Sequence, residues 1–234
     1  MRPETSWRRP CGAVPGSPAP ASAEASGLAT GLVILVGGRG VRMGGVCKPL
    51  LAVEGTRIID RQLAVAGPLF ARIALVVGAK GPVAAELLAL GLPVVADRPG
   101  PDTGPDTAPD TGPIFGLEAG LAWLPDGVDA LVCVAGDMPF LSAALLRRLR
   151  DHPAGRSLVP RHGTGVEPLC ARYARTATGP LASFLAAGGR ALHAFVQALD
   201  PDYLEGPELA RLAPGGVAFT NLNRPSDLDA LGGS

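Results

Sequence analysis

A glycine-rich segment that ends in lysine is the first candidate for chemistry. GGRGVRMGGVCK runs from Gly37 to Lys48, directly after an apolar run that begins at Gly31. Glycine lets a backbone come close to an anion, so that its N–H groups point at the ligand, and lysine adds a positive charge. The chain has only two lysines, against 19 arginines. The segment therefore predicts a loop that binds phosphate.

The familiar phosphate-binding motifs do not match this loop. A P-loop needs glycine before its lysine and Ser or Thr after it, whereas Cys47 and Pro49 flank Lys48. The dinucleotide fingerprint GxGxxG fails at Met43, which occupies its third glycine position. We interpret the loop as a different phosphate-binding arrangement, in which Arg42 and Lys48 are charged contacts.

A carboxylate after a second apolar run supplies the other half of a site. GDMPF begins at Gly136, and Asp137 follows the predicted strand Ala130–Gly136. Ligands bind at the carboxyl ends of the strands in an open parallel sheet. Mg²⁺ uses one or two carboxylates there and completes its shell with water and phosphate oxygens. Taken alone, Asp137 could equally cap the next turn, but together with the glycine loop a metal site is favoured.

Alternating apolar runs and helical periodicity indicate the elements that must position these residues. Strands are predicted over Gly31–Gly37, Arg72–Val77, Pro93–Ala96, Ala130–Gly136, Ser157–Pro160, Pro168–Tyr173 and Val217–Thr220. Helices are predicted over Thr56–Ala66, Val83–Leu90, Ile114–Leu124, Ala143–Arg150, Pro180–Ala187 and Ala191–Leu199, with Thr56 and Ser142 as N-caps. This alternation predicts βαβ units and an α/β fold with a mostly parallel central sheet.

Two segments fall outside this pattern. Residues 1–29 are rich in Pro, Gly, Ser and Ala, and no apolar segment follows Arg8, so we expect a disordered tail without a signal peptide. A proline-rich unit repeats three times within 101–113 and cannot propagate a helix or a central strand. We therefore expect one domain over 30–234 that carries a low-complexity loop insertion.

Composition excludes several classes of partner. Acidic and basic residues balance at 21 each, which argues against nucleic-acid binding. No apolar stretch is long enough to span a bilayer, and we expect a cytoplasmic protein without a membrane partner. The four cysteines include no CxxC pair, and Cys133 and Cys170 lie in apolar runs typical of buried thiols. The three histidines do not have the spacing of zinc ligands.

Five motifs in order resemble one family. LVGGRGVRMGGVCKPLL is similar to the signature loop of the nucleotidyltransferase superfamily. Together with GPIFGLEAGL, GDMPF, VEPLCARY and FTNLNRPSDL, it resembles the molybdenum cofactor guanylyltransferase family over roughly Leu32 to Leu231. The resemblance implies a Rossmann-like three-layer α/β/α nucleotidyltransferase domain. It also implies transfer of GMP from GTP to the terminal phosphate of molybdopterin, with release of pyrophosphate and with Mg²⁺ as cofactor.

The resemblance also implies site residues and partners. The nucleotide would be bound by Leu35, Val36, Gly37, Gly38, Lys48, Gly78, Asp97 and Asp137, and Asp137 would hold Mg²⁺. Arg42 and Lys48 would hold the departing pyrophosphate. Glu167, Asn221 and Asn223 would lie on the acceptor side. Glu167 could instead be an acidic residue at the end of a strand, and both asparagines equally suit a turn before Pro225. Molybdenum insertion proteins and molybdoenzyme chaperones are further candidate partners.

The sequence departs from the family pattern at four positions. The family usually has alanine at Val36, asparagine at Gly78, an acid at Cys47 and threonine at Arg224. Because glycine has no side chain, a contact at Gly78 would have to use the backbone. The departures therefore weaken the inference of guanine selectivity more than the inference of nucleotidyl transfer. The alternatives are a cytidylyltransferase for the same pterin, a sugar-phosphate nucleotidyltransferase, and a cofactor carrier without catalytic activity.

Overall fold

A central sheet holds the ends of the two motif-bearing strands side by side. The computed structural model describes residues 30–36, 47–78, 83–97, 112–163 and 165–222. The expected tail and most of the repeat insertion lie outside the described residues. Gly37, Gly38, Arg42 and Asn223 also lie outside them.

The described secondary structure follows the predicted alternation. The strands are β1 Thr30–Leu35, β2 Ala52–Val53, β3 Thr56–Arg57, β4 Ile73–Val77, β5 Val94–Ala96, β6 Ala130–Ala135, β7 Leu158–His162, β8 Gly165–Val166, β9 Cys170–Ala174 and β10 Asp202–Leu204. The helices are α1 Ile58–Ala66, α2 Ala85–Leu88, α3 Pro113–Trp123, α4 Ala143–Arg150, α5 Thr178–Ala186, α6 Leu192–Leu199 and α7 Gly206–Leu212. Short 3₁₀ helices occupy Lys48–Leu50, Arg175–Ala177 and Pro214–Phe219.

The large sheet has the strand order β10-β7-β9-β6-β1-β4-β5, and β8 pairs with β7. Strands β5, β4, β1 and β6 are parallel. Strand β9 is antiparallel to both β6 and β7, and β10 pairs with β7 in parallel. The mostly parallel α/β fold predicted from the sequence is therefore confirmed.

Two apolar cores cover the two faces of this sheet. Leu32 and Ile34 of β1 pack with α1, α4 and α7 on one face. Val33, the residue between them, packs with α3, α5 and α6 on the other face. Because neighbouring residues of a strand point to opposite faces, a strand between two helical layers must be apolar throughout. This arrangement confirms the three-layer α/β/α architecture.

Helix α3 lies unusually close to the strands that carry the site. A Cβ atom added to Gly120 would lie 2.8 Å from Leu131 of β6 and 3.0 Å from Val33 of β1. A Cβ atom added to Gly116, one turn earlier, would lie 3.1 Å from the side chain of Leu35. The two glycines of IFGLEAGL therefore let α3 pack directly over β1 and β6.

Several predicted elements differ from the structure. The predicted strand Val217–Thr220 is wrong: Pro214–Phe219 forms 3₁₀ turns on either side of a kink, where Gly215 and Gly216 have positive φ. Thr56 is not an N-cap, because it lies in β3 and the helix begins at Ile58. Ser142 does cap α4, since its hydroxyl accepts a hydrogen bond from Leu145 N at 3.1 Å. Strand β10 and helix α7 were not predicted.

The two thiols that were expected in the core are buried. Cys133 and Cys170 are both fully buried. Burial raises the pKa of Cys133 to about 12 and also raises the pKa of Cys170. Both side chains are therefore neutral packing groups. In the described part of the chain, no helix has the length and apolar character needed to cross a membrane.

Candidate nucleotide and metal site

The candidate site follows the carboxyl ends of four parallel strands. Asp97 follows β5, Gly78 follows β4, Val36 follows β1, and Asp137 follows β6 by two residues. Hydrogen bonds extend the sheet to these positions: Asp97 N donates to Val77 O, and Val36 N donates to Val76 O, both at 2.9 Å. Strands lie about 4.8 Å apart, so the row spans roughly 14 Å. Residues far apart in sequence are thereby brought to one edge.

Lys48 and Asp137 form an ion pair at this edge. Lys48 Nζ lies 2.8 Å from Asp137 Oδ2, and the two side chains are 27% and 19% exposed. Lys48 is the last residue of the glycine-rich segment and the first residue of the 3₁₀ helix Lys48–Leu50. The structure thus joins the two motifs that the sequence analysis identified separately.

Gly136 allows these elements to come together. A Cβ atom at Gly136 would lie 2.9 Å from both Leu35 O and Pro49 Cγ, which leaves no room for a side chain. Gly136 N also donates to Leu35 O at 2.9 Å. Pro49 is buried beside Lys48, so its contact with Gly136 fixes the base of the lysine against the β6 end.

Two side chains of helix α1 donate hydrogen bonds to the backbone around Asp137. The side-chain amide of Gln62 donates to Ala135 O at 2.8 Å and to Met138 O at 2.9 Å. The neighbouring Arg61 donates to Pro139 O at 3.3 Å. Gln62 was not identified from the sequence. The sequence does contain a signal for it, because Gln62 is a polar residue on the buried face of the helix, together with Ile58, Ile59 and Ala66.

The C-terminal part of the described chain returns to Asp137. Leu222 N donates to Asp137 O at 3.0 Å. The Leu222 side chain is fully buried and packs with Val53 and Ile58. Asn221 is exposed beside this anchor. A single buried leucine therefore anchors the backbone next to Asn221 to the candidate metal ligand.

Glu167 lies at the same edge of the sheet. Its Oε1 atom is 2.7 Å from His162 Nε2, and the His162 ring stacks on Phe219 with centroids 5.3 Å apart. Two residues after Glu167, Leu169 O accepts a hydrogen bond from Ala135 N at 2.8 Å. The VEPL segment therefore borders the end of β6, and its neighbour His162 contacts the C-terminal segment that includes Phe219 and Asn221.

Three further site residues, Leu35, Gly78 and Asp97, lie at this edge of the sheet. Leu35 packs its side chain against α3 at Gly116 and uses its carbonyl to fix Gly136. Among the described residues, no atom lies within 4 Å of a Cβ atom added at Gly78. Asp97 is 9% exposed. In the part of the chain that the structure describes, Gly78 therefore lies in the row between a largely buried carboxylate, Asp97, and the Lys48–Asp137 pair.

The donor set fits Mg²⁺ bound together with phosphate. In the described ranges, no cluster of three or more His, Cys, Asp or Glu side chains could hold a metal. Mg²⁺ does not need such a cluster, because one carboxylate, waters and substrate phosphates complete its octahedral shell. The ammonium group at 2.8 Å shows that Asp137 Oδ2 is accessible to a cation.

The three-layer fold and the residues at this edge of the sheet are those of an NTP transferase domain. The family model described as "MobA-like NTP transferase domain" matches residues 32–202. "Probable molybdenum cofactor guanylyltransferase" of Pelotomaculum thermopropionicum is 36% identical, and the match covers 86% of this chain and 90% of that protein. "Molybdenum cofactor guanylyltransferase" of Cereibacter sphaeroides is 34% identical, with 84% of this chain and 92% of that protein covered.

A solved structure gives the same answer. "Molybdopterin-guanine dinucleotide biosynthesis protein A" from Archaeoglobus fulgidus superposes with a TM-score of 0.66 and 27% identity. The superposition covers 86% of this chain and 95% of that one. The chain therefore belongs to the molybdenum cofactor guanylyltransferase family, among the MobA-like NTP transferase domains.

Proposed function

We propose that this protein transfers GMP from GTP to the terminal phosphate of molybdopterin, releases pyrophosphate and forms the guanine dinucleotide cofactor. The observation that carries the proposal is the Lys48–Asp137 pair at the carboxyl ends of β1 and β6. Relatives named as molybdenum cofactor guanylyltransferases, at 34–36% identity over most of the chain, support this substrate pair.

The proposed reaction needs positioning more than proton transfer. The nucleophile is a phosphate monoester, which is already anionic near neutral pH, so no general base is required. Its oxygen attacks the α-phosphorus of GTP, and the bond to the bridging oxygen of pyrophosphate breaks. The main barriers are charge repulsion between acceptor and triphosphate and the in-line geometry.

The residues of this chain have distinct roles in the proposed mechanism. Lys48 contacts the triphosphate and balances the charge that develops on pyrophosphate, with Arg42 of the glycine-rich segment as a second cation. Asp137 holds Mg²⁺, which when bound supplies positive charge to phosphate oxygens. Gly78 and Asp97 border the nucleoside, and Glu167, Asn221 and Asn223 orient the acceptor.

The test is a reconstituted reaction with the purified protein. We expect pyrophosphate release when GTP, Mg²⁺ and molybdopterin are mixed, and a product with the mass of the guanine dinucleotide. CTP and UTP should be poor donors, and a sugar phosphate should not replace the pterin. Faster turnover with CTP would identify a cytidylyltransferase instead. Binding of the pterin without any nucleotidyl transfer would identify a carrier.

A further inference from the structure

A buried glutamine bridges the backbone on both sides of Asp137. Gln62 is 1% exposed, and its Nε2 atom lies 2.8 Å from Ala135 O and 2.9 Å from Met138 O. Ala135 is two residues before Asp137 and Met138 is one residue after it. One side-chain amide therefore ties together the two ends of the tight segment that carries the candidate metal ligand.

The orientation of this amide is fixed by its neighbours. Both groups that it meets are carbonyl oxygens, so only the NH₂ end can face them. The other end, Oε1, is buried and has no hydrogen-bond partner among the described residues. A buried acceptor without a partner is unfavourable, and an apolar side chain would fill the space without that cost. The two donor contacts are thus what glutamine contributes here.

Other elements fix the backbone between these two contacts. Gly136 N donates to Leu35 O at the end of β1, and Asp137 O accepts from Leu222 N. Four consecutive residues, 135–138, are therefore held by α1, β1 and the C-terminal segment. The backbone that carries the Asp137 carboxylate is therefore fixed, and Asp137 Oδ2 lies 2.8 Å from Lys48 Nζ.

We propose that Gln62 is a positioning residue for Asp137. It fixes the backbone of residues 135–138 and so aims the Asp137 carboxylate at its cation. This inference rests on the proposed function, because the cation is Mg²⁺ only if the protein is a nucleotidyltransferase. Groups that orient a metal ligand typically change metal affinity or activity by about tenfold to a hundredfold when they are removed.

The first test replaces Gln62 with methionine, which has a similar length but no donor. Binding of Mn²⁺ as a Mg²⁺ probe is measured by electron paramagnetic resonance, with a non-hydrolysable GTP analogue present. We expect Gln62→Met to weaken Mn²⁺ binding about tenfold. In the reconstituted reaction, we expect kcat to fall by about tenfold or more, whereas KM for GTP changes less than about twofold.

The matched control is Thr30→Val. Thr30 is also 1% exposed. Its hydroxyl donates to Arg150 O at 3.2 Å and accepts from Arg172 Nη1 at 2.9 Å. It lies at the opposite end of β1, roughly 16 Å from Leu35 at about 3.3 Å per residue. Thr30→Val should lower the melting temperature but leave Mn²⁺ affinity and kcat unchanged, since it removes two buried hydrogen bonds away from the site.

The outcomes separate positioning from a merely structural role. If Gln62→Met lowers the melting temperature and leaves Mn²⁺ affinity and kcat at wild-type values, the proposal is overturned. If Gln62→Met does not fold, the same assays are applied to Gln62→Asn, whose shorter amide cannot reach both carbonyls. Unchanged metal affinity and kcat in that variant would also overturn it. A wild-type protein that binds Mn²⁺ and GTP analogue but forms no product would contradict the proposed function alone.

Discussion

Lys48 Nζ lies 2.8 Å from Asp137 Oδ2, although the two residues are 89 positions apart in sequence. The pair joins the end of the glycine-rich segment to the end of β6. A triphosphate that contacts Lys48 competes with Asp137 for the ammonium group, and a cation on Asp137 competes with Lys48 for the carboxylate. In the proposed reaction, the triphosphate therefore takes the place of Asp137 beside Lys48, and the metal ion takes the place of Lys48 beside Asp137.

Lys48→Arg tests whether the shape of the cation matters as well as its charge. A guanidinium is flat and wide, whereas an ammonium is compact and sits on a thin stem. The Lys48 ammonium group lies 2.8 Å from Asp137 Oδ2, and the longer, forked guanidinium group cannot occupy the same position without moving relative to that carboxylate. We expect kcat/KM for GTP to fall by about tenfold to a hundredfold, as for the loss of one charge-assisted contact.

Lys48→Ala should lose more activity than Lys48→Arg, because the charge is removed as well. Circular dichroism confirms that both variants fold. Kinetics close to wild type for the arginine variant would contradict the geometric argument. The same result for the alanine variant would remove Lys48 from the site.

Asp137→Asn removes the negative charge and keeps the shape of the side chain. We expect kcat to fall by at least about a hundredfold, which corresponds to about 2.7 kcal/mol in the barrier. GTP should still bind in part, since the glycine-rich segment and Lys48 remain. The measurements are turnover over a range of Mg²⁺ concentrations and calorimetric binding of GTP. Full activity at ordinary Mg²⁺ would mean that the metal ligand is another residue.

Gly78→Asn introduces the residue that the family usually has after the second long strand. A side chain fits there, because the added Cβ atom meets nothing within 4 Å among the described residues. We expect an unchanged melting temperature and a lower KM for GTP relative to CTP, since an amide can hydrogen-bond to a base edge. Gly78→Leu is the control of similar size without such groups. An equal change in both variants would assign the effect to backbone stiffness.

His152 is expected to make stability depend on pH. Its ring is 8% exposed, its Nε2 atom lies 2.8 Å from Asp202 Oδ2, and its Nδ1 atom lies 3.1 Å from Arg148 Nη1. Burial lowers the pKa of His152, and the hydrogen bond to Asp202 only partly opposes this shift. A neutral ring that donates from Nε2 and accepts at Nδ1 satisfies both neighbours.

The direction of the pH effect follows from this lowered pKa. The folded state binds fewer protons than the unfolded state, whose histidine titrates near 6.5. The stabilisation is therefore complete above that pH and is lost as the pH falls through the folded pKa. His152→Gln keeps one donor and one acceptor without titrating, so its melting temperature should fall less than that of wild type between about pH 7 and 5. Exposed His193, changed to Gln, is the control, and an unchanged slope in His152→Gln would contradict the prediction.

Some features of this protein follow from local sequence alone. A strand between two helical layers must be apolar on both faces, so the runs that contain Leu32 and Val132 could be identified as central strands. Parallel strands bring their carboxyl ends together, so Lys48 and Asp137 could be assigned to one edge before any contact was known. The resemblance of five ordered motifs then indicated the family, which the comparisons confirm.

Only the tertiary structure decided how that edge is assembled. Gln62 is a polar residue in an apolar helical stripe, and nothing in its neighbours shows that two carbonyls 73 and 76 residues away need its donors. Val217–Thr220 has the composition of a strand, but residues 217–219 form a 3₁₀ turn that follows a kink, at which Gly215 and Gly216 have positive φ. Leu222 can reach Asp137 only because its side chain fills a pocket beside Val53 and Ile58. Local pattern sets the elements, whereas long-range burial and hydrogen bonding determine which residues meet.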